Sequence, residues 1–159
     1  MNNLWAPWRI EYILAPKAGS CFLCEIFAAS DDQRNRVLYR GRTCAVVMNR
    51  YPYTSGHLMV CPYRHFEDFS SLTPQERIEI MDLTERCITI LKRVMKPDGF
   101  NIGYNLGHAA GAGLKDHLHQ HIVPRWVGDT NLMPVLGDVT VVPQALDELY
   151  AKLKPEFDA

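Results

Sequence analysis

The sequence predicts an α+β domain built on an antiparallel β-sheet. Three observations carry this expectation: short apolar runs with strand-like alternation set between turn residues, one long segment with helical three- and four-residue spacing, and the absence of any repeat, low-complexity tract or linker that would divide the chain. A chain of 159 residues, 47% of them hydrophobic and 22% charged, suits a single domain with a closed core.

In chain order, residues 1–20 hold Pro7, Pro16 and Gly19 among three large aromatics, Trp5, Trp8 and Tyr12, and are expected to form an irregular arm packed through its rings. The main domain is expected from Cys21 onward. Residues 43–48 and 57–61 are β-favouring apolar runs, and the turn-forming stretch 51–56 between them predicts two neighbouring antiparallel strands. A helix is expected to start at Thr73-Pro74-Gln75-Glu76, which offers a capping threonine, a proline at the first helical position and a glutamate three residues past the cap. Its apolar face reads as Ile80, Met81, Thr84, Cys87, Ile88, Leu91, Val94 and Met95, ended by Lys96-Pro97-Asp98-Gly99. Phe100, Ile102 and Tyr104 alternate with Asn101, Gly103 and Asn105, as in a strand with one buried and one polar face. The glycine-rich stretch 107–113 then leads into a further β-type run at 117–123, stopped by Pro124. A last amphipathic helix after Pro143 uses Leu146, Leu149, Tyr150 and Leu153, so that residues 127–159 form an extension packed on the same domain.

Composition excludes several classes. The 17 basic and 18 acidic side chains are well mixed, so no global positive field recruits long nucleic acids and any phosphate binding must be local. No apolar run approaches the roughly 20 residues that span a bilayer, and Met1-Asn2-Asn3-Leu4-Trp5 lacks a basic stretch followed by an apolar one, so a cytoplasmic protein without membrane partners is expected. Five cysteines are an odd number, which argues against a disulfide framework. Cys44, Cys61 and Cys87 fall in apolar stretches and read as small buried hydrophobes. Cys21 and Cys24 have the two-residue gap that lets two thiolates chelate one ion, but they supply only half of a tetrahedral shell.

Half of the six histidines lie in the run His117-Leu118-His119-Gln120-His121. Along an extended chain successive side chains point to opposite faces, so the three histidines share one face, with neighbouring rings roughly 6.5–7 Å apart, while Leu118 and Gln120 occupy the other. Two kinds of chemistry use such a stripe: a metal site, which needs convergent nitrogens, and phosphoryl or nucleotidyl transfer, which needs one nucleophilic nitrogen flanked by hydrogen-bond donors. The preceding glycines let backbone N–H groups approach an anion, and Asn105 adds a neutral polar contact; His108 in that loop reads as an exposed residue.

With His117-Leu118-His119-Gln120-His121-Ile122-Val123 the sequence resembles the histidine triad (HIT) family, whose mark is three alternating histidines followed by two apolar residues. The resemblance extends upstream to Asn49, eight residues before His57, and to Leu58-Met59-Val60-Cys61-Pro62, and covers residues 21–126. Gln120 departs from the pattern, standing where many members carry an apolar residue; it is expected to face away from the stripe and to hydrogen-bond in the layer behind. Gly111-Ala112-Gly113-Leu114-Lys115-Asp116, Pro124-Arg125-Trp126 and the C-terminal extension resemble the diadenosine tetraphosphate phosphorylase-like branch. The resemblance implies a HIT-like fold and a nucleotidyl hydrolase or transferase acting on dinucleoside polyphosphates, with His119 attacking the α-phosphorus and His121 and His57 stabilising the developing charge. Asn49 would bind ribose, and Asn105, Gly113 and His121 would contact phosphate. It further implies a structural zinc ion held by Cys21, Cys24, His65 and His117, no organic cofactor, and a homodimer. A nucleoside phosphoramidase and a non-catalytic nucleotide-binding sensor are the alternatives.

Overall fold

The computed structural model describes residues 21–110, 116–129 and 144–159; the expected arm at 1–20 lies outside the described residues. A five-stranded antiparallel sheet is ordered β1 (Val37–Arg40), β2 (Cys44–Met48), β3 (Leu58–Pro62), β5 (Gln120–Arg125), β4 (Gly99–Tyr104). Helices α1 (Phe22–Ala28) and α2 (Asp32–Asn35) precede it, α3 (Pro74–Met95) connects β3 to β4, and α4 (Leu146–Asp158) ends the chain. The α+β class and the paired β2 and β3 agree with the sequence reading, with Val46 opposite Val60.

Period-two alternation sorts the sheet into two faces. On one, Leu38, Val46, Met48, Leu58, Val60 and Ile122 pack under α3 and α4 together with Leu83, Leu91, Leu149, Leu153 and Phe157. The smaller apolar set on the other face, Val37, Ala45, Val47, Met59 and Cys61, is covered by Leu23 of α1. Beyond Met59 this second face turns polar, because the next residues across the sheet are His121 and Gly103. The three lone cysteines Cys44, Cys61 and Cys87 are fully buried, as small hydrophobes.

Helix α3 starts as its sequence signal implies: Thr73 and Glu76 form a reciprocal capping box, with Pro74 in the first turn. Its buried face differs in part. Leu83 and Ile90 point inward while Met81 is 64% exposed, because Met81 lies about 100° around the helix from Ile80 and the buried stripe is centred on Ile80, Leu83, Cys87 and Ile90. Ile102 is also outside the core, 44% exposed, since β4 is an edge strand with one neighbour.

The run at 117–123 is corrected at both ends: the ladder begins at Gln120 and continues through Pro124 to Arg125. At its start, Leu118 N–H donates to Phe66 O (2.7 Å) in the β3–α3 connection, drawing the chain out of the ladder. At its end, Asp98 N–H donates to Arg125 O, so Arg125 faces β4 and Pro124 faces the β3 side, beyond the end of β3. There a missing N–H removes no ladder bond. Pro124 O instead accepts from Thr54 Oγ1 (2.8 Å).

Gln120 projects onto the helix-covered face, where Thr84 Oγ1 of α3 lies 2.5 Å from its Oε1 and both residues are buried. This bond ties the strand that carries His121 to the long helix. Replacing Thr84 by valine strands the Gln120 amide in an apolar layer and is expected to cost about 1–3 kcal/mol in urea unfolding. Adding Gln120→Leu to that variant should recover most of the loss, and a double variant as unstable as the single one would contradict the pairing.

Candidate active site

The polar face of the sheet gathers His57, Asn49, Asn105, His119 and His121. His57 immediately precedes β3 and His121 lies in β5, and the antiparallel pairing of these strands brings His57 Nε2 to 2.9 Å from His121 Nδ1. His119 and His121 have ring centroids 4.8 Å apart, closer than the 6.5–7 Å expected for an ideal strand, because His119 precedes the ladder and its ring leans toward its neighbour. Gly103 stands opposite His121, and a Cβ placed there would meet none of the described residues within 4 Å, so the described part of the sheet leaves space beside the histidines. Asn105 follows β4, with its amide nitrogen 3.4 Å from His121 Nε2 and 3.2 Å from Tyr53 Oη. Gly113 lies outside the described residues, as does the side chain of His108.

His119 is oriented by its own chain: Nδ1–H donates to the carbonyl of His117 at 2.8 Å. A neutral imidazole carries one hydrogen, so Nε2 holds a lone pair, and no described residue hydrogen-bonds to it. Burial pushes the His119 ring below the ordinary histidine range, against the opposing effect of the His117 carbonyl, which keeps that lone pair free at neutral pH.

The hydrogen order of the second pair follows from its donors. Asn49 Oδ1 accepts from Tyr51 N–H (2.8 Å), which turns Asn49 Nδ2 toward His57 Nδ1 (3.3 Å); Tyr53 N–H donates to the same nitrogen at 3.1 Å. With Nδ1 accepting, the hydrogen of His57 resides on Nε2 and is donated to His121 Nδ1, which places the hydrogen of His121 on Nε2. The Asn105 amide must then present its oxygen to His121, an exchange of O and N that leaves the shape of the amide unchanged. Burial pushes His57 down to about 3, aided by the neighbouring His121 and His119 rings, and pushes His121 down to about 4, aided by His119. Both are neutral at pH 7.

A second cluster adjoins the first. Cys21, Cys24, His65 and His117 bring one ligand atom each to within 4.8 Å of one another. Cys21 caps α1 and Cys24 lies three residues on, one helical turn away, so both sulfurs face the same side. Arg40 holds that helix in place by donating to the carbonyls of Ile26, Phe27 and Ala29 while pairing with Asp32. His65 comes from the β3–α3 connection, which Arg64 anchors to Glu76 and to the carbonyl of Ser71. His117 donates Nε2–H to Pro62 O (2.8 Å), leaving Nδ1 to face Cys21 Sγ at 3.2 Å and Cys24 Sγ at 3.5 Å; His65 Nδ1 is 3.4 Å from Cys24 Sγ. Edges of about 3.3–3.8 Å are what a tetrahedron with zinc-like bond lengths requires, and a carbonyl behind the ligating imidazole is the usual support. Burial and the adjacent Cys21 thiol push the Cys24 thiol up, so holding both sulfurs as thiolates calls for a cation among them. These four residues can hold a metal ion.

Of the residues singled out in the sequence, the structure thus brings together His57, His119, His121, Asn49 and Asn105 in one site and Cys21, Cys24, His65 and His117 in the other. Sequence reasoning missed Tyr53, whose ring lies 4.6 Å from His57 and 5.7 Å from His121, stacked on the latter. Its position between Asn49 and His57 was the available signal, but a tyrosine in a turn reads as an ordinary exposed aromatic.

Comparison with known proteins agrees with this arrangement. The HIT domain family model matches residues 30–127. An AP-4-A phosphorylase from Mycobacterium tuberculosis is 39% identical over an alignment covering 99% of this chain and 85% of the relative. Among solved structures, a hypothetical histidine triad nucleotide-binding protein from Sulfolobus tokodaii superposes with a TM-score of 0.67 at 26% identity, covering 86% of this chain and 89% of its own. A zinc-bound histidine triad family protein from Mycobacterium smegmatis shares the fold, with a TM-score of 0.67 at 24% identity, covering 87% of this chain and 94% of its own. No helix among the described residues is long and apolar enough to cross a membrane.

The depressed histidines make stability depend on pH. An unfolded histidine takes up its proton near pH 6.5, whereas His57 and His121 do so only near 3 and 4. Between these values the unfolded chain binds more protons, so stability is unaffected by the pair above about pH 6.5 and falls as the pH drops below it. Urea midpoints should therefore decline from pH 7.5 to pH 5, and the decline should be shallower in a His57→Gln, His121→Gln variant; equal slopes in both proteins would contradict the assignment.

Proposed function

The chain belongs to the HIT domain family, and from that premise we propose that it is a nucleotide hydrolase or phosphorylase that cleaves dinucleoside polyphosphates such as diadenosine tetraphosphate at the α-phosphate. The observation that carries this reading is the bond from His119 Nδ1 to the His117 carbonyl, which leaves Nε2 as a free nucleophile at neutral pH. In the proposed reaction Nε2 attacks the α-phosphorus, a P–N bond forms, and the P–O bond to the departing polyphosphate breaks. His121 Nε2–H, which faces the Asn105 oxygen before substrate arrives, turns in the complex to a phosphate oxygen entering beside Gly103 and stabilises the charge that grows on it. Because His57 donates its one hydrogen to His121, it acts through His121. Asn49, bonded to His57, and Asn105, beside His121, line the same face and are assigned to ribose and phosphate contacts. Water or inorganic phosphate then breaks the P–N bond and restores the ring. The identity to an AP-4-A phosphorylase favours phosphate as the acceptor.

Zinc is the ion proposed for Cys21, Cys24, His65 and His117. With four protein ligands it has no open coordination position, so its contribution is to fold and hold the segment before β5.

Three expected outcomes test this reading. Purified protein should carry about one zinc per chain, and a Cys21→Ser, Cys24→Ser variant should carry almost none; equal metal content in the two would remove the site. Incubation with diadenosine tetraphosphate and phosphate should give ADP plus ATP, while AMP plus ATP independent of phosphate would assign hydrolysis and intact substrate would indicate a sensor. His119→Ala should lose nearly all turnover with little change in nucleotide binding, and His121→Ala should lose on the order of 10²–10³ in rate. Partial rescue of His119→Gly by free imidazole would tie the loss to the ring, and an active His119→Ala would place the nucleophile elsewhere.

A further inference from the structure

Accessible thiols are confined to one place on this molecule. Of the five cysteines, Cys44, Cys61 and Cys87 are buried, and only Cys21 and Cys24 reach the surface. These two stand one turn apart at the start of α1, with their sulfurs within 4.8 Å of each other and the two-residue gap of reversible dithiols. The same pair belongs to the proposed zinc cluster, and that cluster reaches the support of the nucleophile by two routes. His117 places Nδ1 3.2 Å from Cys21 Sγ, while its carbonyl accepts from His119 Nδ1 at 2.8 Å. His65 places Nδ1 3.4 Å from Cys24 Sγ, and the next residue, Phe66, accepts from Leu118 N–H at 2.7 Å. The His117 carbonyl and the Leu118 N–H belong to one peptide group. An ion among the four residues therefore braces that group from both ends.

We propose that Cys21 and Cys24 are a redox latch on the nucleophile: hydrogen peroxide joins the two sulfurs, the ion is lost, and the peptide group that orients His119 is released from both ends. The sulfurs of a tetrahedral zinc site stand about 3.8 Å apart, whereas a disulfide holds them at about 2 Å, so one pair cannot serve both states. In the first step one thiolate attacks a peroxide oxygen, the O–O bond breaks, and a sulfenic acid and hydroxide form. The other thiolate then attacks that sulfur, the S–S bond forms, and a second hydroxide leaves. Two electrons pass from sulfur to the peroxide, two protons from solvent complete two molecules of water, and zinc departs as the divalent ion. His65 and His117 alone supply only half of a tetrahedral shell. Arg64 still anchors the β3–α3 connection and His117 still donates to Pro62 O, so the fold persists while the His117 carbonyl is held less tightly. The inference rests on the zinc reading of these four residues and, for its effect on rate, on His119 as the nucleophile.

The test exposes zinc-loaded protein, labelled with ¹⁵N-histidine, to hydrogen peroxide and removes the excess with catalase. It then reads zinc released to a chromogenic chelator, the Cys21–Cys24 disulfide by peptide mapping, the His119 Nδ1–H signal, and kcat and KM for diadenosine tetraphosphate. One zinc should leave per disulfide formed, and the His119 Nδ1–H signal should weaken as its bond to the His117 carbonyl loosens. A small misplacement of a reacting group is costly, so kcat should fall at least about tenfold, with KM within about twofold. Dithiothreitol with added zinc should restore the signal and the rate. Zinc and both thiols persisting after treatment overturn the proposal, and so does a disulfide that leaves the His119 signal and kcat unchanged. A rate loss that dithiothreitol and zinc do not reverse, or that comes with loss of the far-UV circular dichroism of the fold, also overturns it. Protein that binds no zinc before treatment overturns the zinc reading and the latch together. If reduced, zinc-loaded protein leaves the nucleotide intact, the functional reading fails while zinc release and the His119 signal still decide the latch.

Discussion

The hydrogen bond from His119 Nδ1 to the carbonyl of His117 is the contact on which the rest of the site depends, and much of the molecule serves to hold that carbonyl still. His117 is fixed three ways: its Nε2–H is on Pro62 O, its Nδ1 faces the Cys21–Cys24–His65 cluster, and its own carbonyl is on His119. The next residue, Leu118, is tied through its N–H to Phe66 O. The Phe66 connection is anchored in turn by Arg64, which bridges to the buried Glu76 of the α3 capping box and lies over the Phe66 ring. The start of the long helix, the cysteine pair of α1 and the end of β3 thus converge on one peptide group. A short extended segment outside the sheet ladder is thereby held nearly as firmly as a strand.

The sheet supplies the second requirement, a place where neutral imidazoles can be packed together. One row across its polar face runs Val47, Met59, His121, Gly103, so that the apolar end is sealed by α1 while the histidine end opens where glycine contributes no side chain. Burial keeps the rings uncharged, which removes the repulsion that would otherwise separate His57, His119 and His121. Once neutral, each ring has one donor and one acceptor, and neighbouring N–H groups and carbonyls dictate which is which. The opposite face is filled by aliphatic side chains under α3 and α4, with Gln120 and Thr84 as a polar link between the layers.

The features legible in the sequence are those encoded by periodicity and end signals. Alternation in His117-Leu118-His119-Gln120-His121 placed the histidines on one side and Gln120 on the other, and Thr73-Pro74-Gln75-Glu76 marked the start of α3. Where the reading departed from the structure, a tertiary contact decided the outcome. Pro124 looks like a strand end, but at the position beyond β3 it fits inside β5. Helices α1 and α2 and strand β1 span seven, four and four residues, too short for their own periodicity, and owe their place to Arg40, which reaches from β1 to the carbonyls of α1. Two hydrophobes on α3, Met81 and Ile88, were assigned to a face that Leu83 and Ile90 fill, because apolar residues lie on several sides of that helix. Tyr53 was invisible as a site residue because its contacts there are with His57 and Asn105, four and fifty-two residues away.

The central claim is that His119 Nε2 forms a covalent bond to the α-phosphorus. It is tested most directly by rapid quench of the protein with diadenosine tetraphosphate labelled in the α-phosphate, followed by peptide mapping of the trapped protein. A label that is stable to base, lost in acid and located on His119 is the result this account predicts. Label on His121 or His57, or turnover with no protein-bound label at any quench time, would contradict it.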